Sequence, residues 1–224
     1  MELFYDGASI AEAEHLLERG LIRGITTNLS FCSREMKKTG QSYTELLQGL
    51  VKFADSRSLP ISIQTTKRGT SDIIDEVRMM NSVFKSKSKI YYKIPQNFEN
   101  LRAMQVLKEE GIQINATCVM SSNQGVTALQ AGAEIISFFW GKMEDEGIDS
   151  HSQITIFKKI LNDNKASFPH VKVLVGSIRQ PSQIIQGFAA GADIVTTQSS
   201  NFVKLAENAQ SSLAEDLFFQ DWES

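Results

Sequence analysis

Cysteine is nearly absent: the chain has two in 224 residues, Cys32 and Cys118, far apart and in different kinds of segment. Neither belongs to a metal-ligand spacing, and a reducing cytoplasmic compartment is the expected setting. An excess of positive charge is also missing. Lys and Arg number 23 against 26 Asp and Glu, giving a formal net charge of -3. That excludes the electrostatic footprint of a nucleic-acid binder, so an anionic substrate has to be held by a local basic cluster. No apolar run is long enough to span a membrane, and the opening residues Met1 to Asp6 lack the basic start of a signal peptide. No Gly/Ser-rich linker or composition break divides the chain, so a single domain over 1–224 is expected. With 42% hydrophobic and 22% charged residues, it has the balance of a soluble globular protein with a sizeable core.

What is present is an alternation. Short apolar runs at 2–5, 22–26, 60–64, 89–93, 112–117, 134–139, 171–176 and 193–197 read as strands. Segments with helical spacing lie between them: Ile10 to Leu17, Leu46 to Phe53, Ile73 to Met80, Leu101 to Leu107, 122–131, 151–162, 181–190 and 199–220. Strand followed by helix, repeated, implies right-handed crossovers and a parallel sheet. Eight such units in a chain of this length fit a closed (β/α)8 TIM barrel with an additional C-terminal helix. A doubly wound open sheet is the alternative. The polar stretch 141–152, with its acidic run, reads as a solvated loop. The turns Ala131 to Glu134 and Ala190 to Asp193 read as helix caps feeding strands.

A barrel carries its active site at the C-terminal strand ends. Those ends fall at Asp6, Thr26 to Asn28, Gln64 to Thr66, Lys93, Thr117, Phe139 to Lys142, Ser177 to Arg179 and Thr196 to Gln198. Nearly all are polar or ionisable, whereas the strand bodies are apolar. Lys93 ends the run Lys89 to Lys93, at the tip of a buried strand. A low-dielectric wall there disfavours the charged amine and can expose a nucleophile. One amine, one carboxylate, hydroxyls, amides and two cations are the parts of a Schiff-base enzyme acting on a phosphorylated, polyhydroxylated carbonyl compound. Bland readings stand beside these. Lys93 would merely start a loop, Asp6 would cap the following helix, and Thr26 and Asn28 would form a turn. Gln64 would be an ordinary satisfied amide, Ser177 and Arg179 a helix cap and a surface charge, and Lys142 a loop charge. His15, His151 and His170 miss the strand ends and read as surface residues; Tyr91 and Tyr92 read as packing.

Asp6, Gly24-Ile25-Thr26-Thr27-Asn28-Leu29-Ser30, Tyr92-Lys93-Ile94-Pro95, Ser177-Ile178-Arg179 and Phe219-Gln220-Asp221-Trp222 resemble, in order and spacing, the small transaldolase and fructose 6-phosphate aldolase family. The resemblance implies a (β/α)8 barrel with the Schiff-base lysine at the end of the fourth strand. It implies that Lys93 forms the iminium and that Asp6 is the acid/base. Gln64 and Thr117 would orient a catalytic water, while Thr26 and Asn28 would hold the dihydroxyacetone-like fragment. Ser177 and Arg179 would hold the phosphate, with Lys142, where arginine is usual, as a second cation. It implies no metal and no organic cofactor, a ketose phosphate donor, an aldose phosphate acceptor, and a decamer built from pentamer rings in which residues 207–224 pack on a neighbouring subunit.

The chain departs from the family at several positions. Leu29 replaces proline, and Gly7 stands where a hydroxyl residue is typical. Gln64 resembles the aldolase branch, where transaldolases carry Glu. Phe139 resembles the transaldolase branch and removes a phenol that would protonate the enamine. The expectation is a transaldolase-like enzyme. The alternatives are fructose 6-phosphate aldolase and a catalytically impaired sugar-phosphate-binding barrel.

Overall fold

The computed structural model describes residues 1–224. Eight parallel strands close into a barrel in chain order: β1 (Glu2–Asp6), β2 (Ile25–Thr26), β3 (Ile61–Gln64), β4 (Ile90–Pro95), β5 (Ile114–Val119), β6 (Ile135–Phe139), β7 (Lys172–Gly176) and β8 (Ile194–Thr197). Closure comes from β1 pairing with β8, Glu2 opposite Ile194 through Tyr5 opposite Thr197. Outside lie α1 (Ile10–Glu18), α2 (Leu29–Thr39), α3 (Tyr43–Ser56), α4 (Thr70–Val83), α5 (Asn100–Glu109) and α6 (Ser122–Gln130). They are followed by α7 (Trp140–Asp145), α8 (Ser150–Asp163), α9 (Pro181–Ala189), α10 (Ser199–Ala206) and α11 (Ala209–Glu223). No helix is long and apolar enough to cross a membrane.

Strand alternation sorts the side chains into two cores. Residues such as Ile25, Ile63, Tyr92, Val175 and Val195 face outward and pack with the helices. Phe4, Tyr91, Ile135, Leu174 and Ile194 form a separate apolar cluster. Each is two residues before Asp6, Lys93, Ser137, Gly176 and Thr196 respectively, so these apolar groups plug the barrel one layer below those positions, four of which carry polar side chains. Along β5 the parity slips. The register shifts between Ala116 and Val119, and Cys118 takes a left-handed φ of 62°. This bulge turns Val119 outward into the helix-side core, where strict alternation from Thr117 would have pointed it inward.

Five elements differ from the sequence expectation. First, β4 runs on to Pro95, so Lys93 sits inside the barrel instead of at a tip. Second, β2 shrinks to two residues, although Gly24, packed where an added Cβ would come within 2.4 Å of the Phe4 ring, still accepts the Tyr5 amide at 3.0 Å. Third, the stretch 141–152 is no open loop. Buried Trp140 and Met143 anchor α7 to the core, and Asp149 caps α8 by accepting from the Ser152 amide at 3.0 Å. Fourth, α2 had no counterpart among the expected helices because Cys32 is its only buried residue. Fifth, the helix expected over 199–220 breaks in two. Glu207 is extended, and Asn208 caps α11 by accepting from the Gln210 amide at 2.9 Å.

Candidate active site

At the C-terminal mouth a cavity of about 230 Å³ is lined by Asp6, Thr26, Asn28, Lys93, Thr117, Phe139, Ser177 and Arg179 from the expected set. Gln64 and Lys142 are not among its lining residues. Gln64 pairs in register with Lys93, and its backbone oxygen accepts the Tyr43 hydroxyl at 2.6 Å. The Lys142 side chain is 60% exposed on α7. A larger hollow of about 740 Å³ opens at the other end of the barrel, but holds none of the expected residues. Size alone would favour that other end; the buried pair of Lys93 and Asp6 singles out the C-terminal mouth.

Lys93 is 5% exposed, and its Nζ donates to the Thr27 backbone oxygen at 2.8 Å. Burial pulls its pKa below the usual lysine value, against the opposing charge of Asp6. Burial likewise pushes the Asp6 carboxyl above its ordinary value, against the pull of Lys93, the Thr26 hydroxyl and Arg34. Burial thus disfavours the charged form of both members of this pair. Asp6 is no helix cap; Ser9 caps α1.

The Thr26 hydroxyl donates to Asp6 Oδ1 at 2.8 Å and lies 2.6 Å from the Thr196 hydroxyl. A hydroxyl has one proton. With Thr26 donating to Asp6, its oxygen is left to accept from Thr196, whose hydroxyl also lies 3.3 Å from the Phe4 backbone oxygen as an alternative acceptor. Asn115 is clamped from both sides: it accepts from Ser137 Oγ at 2.6 Å and donates to Ser62 Oγ at 3.1 Å. Beside this satisfied network, Thr117 Oγ1 is buried without any partner. An unsatisfied buried hydroxyl costs on the order of 1–3 kcal/mol, so it suits a site that a ligand or water completes. Asn28 spends its Oδ1 capping α2 through the Phe31 amide at 3.0 Å. That cap supplies rigidity at Leu29, the first residue of α2, where proline would otherwise fix the turn.

Gly7 has a structural reason. A Cβ there would lie 2.1 Å from the Tyr5 hydroxyl oxygen, and the buried Tyr5 ring is held by a 2.9 Å bond from that hydroxyl to Glu12. After β7, at the end expected to hold a phosphate, Ser177 adopts a left-handed φ of 58°. Arg179 is already engaged: its guanidinium meets both oxygens of Asp145 on α7.

Asn115 and Ser137 were not among the expected site residues, and Thr196, named as a strand end, was given no role. Reading the strand tips alone skips the layer beneath them. Counting back two residues from Thr117 and Phe139 finds Asn115 and Ser137. Asp145 left no signal beyond its place in an acidic run.

Residues 3–222 match the transaldolase/fructose-6-phosphate aldolase family. The chain belongs to that family. Among curated proteins it is 31% identical to a probable transaldolase of Caldicellulosiruptor saccharolyticus, aligned over 100% of this chain and 97% of that protein. It is 29% identical to a probable transaldolase of Clostridium kluyveri, over 100% and 98%. It is 30% identical to a probable transaldolase 2 of Listeria monocytogenes, over 100% and 97%. Among solved structures, a cube-shaped porous protein cage designed by fusing symmetric oligomeric domains aligns at TM-score 0.62 and 12% identity, over 100% of this chain and 77% of that one. A native KDPGal structure aligns at 0.58 and 14%, over 88% and 81%. Both structural likenesses bear on the fold alone.

Proposed function

We propose that this transaldolase-family barrel transfers a dihydroxyacetone unit from a ketose phosphate, such as fructose 6-phosphate, to an aldose phosphate acceptor through a Schiff base on Lys93. The observation that carries the proposal is the buried Lys93 amine sharing one cavity with the buried Asp6 carboxyl, burial disfavouring the charged form of each.

The neutral amine adds to the donor ketone. Loss of the carbonyl oxygen as water, with protons delivered through Asp6, leaves an iminium. That cation accepts the electron pair of the adjacent C–C bond as Asp6 removes the proton from the hydroxyl beyond it. The aldehyde product leaves, and an enamine remains on Lys93. An acceptor aldehyde then adds to it by the reverse steps, and hydrolysis frees the new ketose. The proposed roles of the other residues follow their positions. Asn28 Nδ2 and Thr26 hold the dihydroxyacetone hydroxyls, and the orphan Thr117 hydroxyl orients the water of hydrolysis. Ser177 and Arg179 receive the phosphate. Phe139 offers the enamine no proton, which favours transfer over simple cleavage. Gln64 and Lys142 stand outside the cavity, so we give them supporting roles at most. The lysine is the electron sink, and the proposed mechanism uses no metal or organic cofactor.

Fructose 6-phosphate aldolase activity is the second reading of the same chemistry. A catalytically impaired sugar-phosphate-binding barrel is a third, favoured by the hold of Asp145 on Arg179. We further propose a cytoplasmic homo-oligomer, pentamer rings paired into a decamer, as the family resemblance implies. In support, α11 has no buried residue and exposes Leu213, Leu217, Phe218, Phe219 and Trp222.

Borohydride reduction in the presence of fructose 6-phosphate tests the chemistry. The peptide containing Lys93 should gain the mass of a reduced dihydroxyacetone adduct. Lys93→Ala and Lys93→Arg should gain none, the latter because a guanidinium stays protonated. A label on another lysine, or no label at all, sinks the proposal.

A further inference from the structure

Arg179 reaches the rim of the cavity with its guanidinium face taken. Nη1 donates to Asp145 Oδ1 at 2.5 Å, and Nη2 donates to Oδ2. This two-pronged contact is the geometry that a phosphate would use. The Lys142 ammonium lies 3.7 Å from the same carboxylate. Both cations of this rim therefore share one anion that belongs to the chain itself.

Asp145 is held there by construction. Its helix, α7, is rooted by buried Trp140 and Met143. The next-door Glu144 accepts from Trp140 Nε1 at 2.6 Å and from Gln183 Nε2 at 2.6 Å. Gln183 in turn accepts the Arg179 backbone amide at 2.8 Å. At the start of α7, Gly141 lets the helix press onto β7. A Cβ there would come 2.5 Å from the Ser177 oxygen and 2.8 Å from Arg179 Nε. Helix, arginine and carboxylate thus form one braced unit at the cavity mouth.

We propose that Asp145 is a specificity-determining residue: it competes with the substrate phosphate for Arg179 and so narrows the advantage of phosphorylated over unphosphorylated donors. The inference rests on the assignment of Arg179 to the phosphate in the proposed function. The contact is partly exposed, with side-chain accessibility of 49% for Arg179 and 37% for Asp145. Such pairs are weak in water, so the carboxylate modulates binding instead of blocking it. Arg179 holds the Asp145 carboxyl below its ordinary range, so the competitor stays charged throughout neutral pH. An unphosphorylated donor meets no such competition.

The experiment measures the affinity of inorganic phosphate and of fructose 6-phosphate by calorimetry. It uses the full-length chain carrying Lys93→Ala, so that no Schiff base forms. Adding Asp145→Asn should tighten both about fivefold. Glu146→Gln, which removes a nearby charge that does not touch Arg179, should change them less than about twofold in physiological salt. Adding Arg179→Ala should erase the gain of Asp145→Asn. Unchanged or weaker phosphate binding in Asp145→Asn overturns the inference. So does an equal gain from Glu146→Gln, which would reduce the effect to general charge. Asp145→Ser replaces the asparagine variant if that one does not fold. Borohydride trapping of the wild type is read separately. A chain that fails to trap yet tightens on phosphate with Asp145→Asn loses the proposed reaction and keeps this inference.

Discussion

Asp6 accepts the hydroxyl of Thr26 at 2.8 Å, the residue that stands opposite it in the β1–β2 register. Neighbouring strand positions facing the same way thus give a buried carboxylate its nearest donor. The bond lowers the Asp6 pKa, while burial, the larger effect, raises it. Thr26→Val removes only the lowering contribution, so the Asp6 pKa should climb further. The base must be ionised to take the hydroxyl proton. The acidic limb of the kcat/KM profile should therefore move to higher pH. A lower rate with an unmoved limb would confine Thr26 to substrate binding.

Arg179→Ala should raise the KM for fructose 6-phosphate by about ten- to a hundredfold, the loss of a charge-assisted contact. Dihydroxyacetone as donor should suffer far less. Arg179 also ties α7 to the loop before α9, through Asp145 and Gln183. An equal loss with both donors would show that this bracing is its whole role.

Phe139 lines the cavity at the end of β6. Phe139→Tyr would put a phenol where an enamine can be protonated. The ratio of dihydroxyacetone release to transfer should rise about tenfold or more, in the range of general acid catalysis. Product analysis of one preparation, with and without erythrose 4-phosphate, reads that ratio. No change would remove position 139 from the choice between the two reactions.

Helix α11 leaves the five apolar side chains Leu213, Leu217, Phe218, Phe219 and Trp222 exposed, Trp222 at 86%. The barrel closes through β1 and β8 without it. Deleting residues 207–224 should lower the molar mass seen by light scattering or make the protein insoluble. A full-length chain that is monomeric at micromolar concentration would refute the assembly.

The alternation along the sequence pointed to the barrel, and the pairing of β1 with β8 closed it. Apolar runs recurring between amphipathic segments leave few ways to bury both, and eight units of that length close on themselves. The sequence also marked Lys93 and Asp6, because ionisable groups beside buried strands stand out against apolar runs. Its reading stopped where local pattern stopped. The strand tips named Thr117 and Phe139 but not Asn115 and Ser137 beneath them, since which face of each strand points inward is settled only when the sheet closes. Helix α7 was hidden in polar residues until Trp140 and Met143 found a core to enter. The remaining contacts join residues that no local pattern relates. Thr26 meets Thr196 across 170 positions, Asn115 meets Ser62 across 53, and Arg179 meets Asp145 across 34. Barrel closure makes the first two by bringing inward-facing polar groups into one layer, and the packing of α7 against β7 makes the third. How the carboxylate is tuned, and that Arg179 holds Asp145, therefore came from tertiary contacts and not from local pattern.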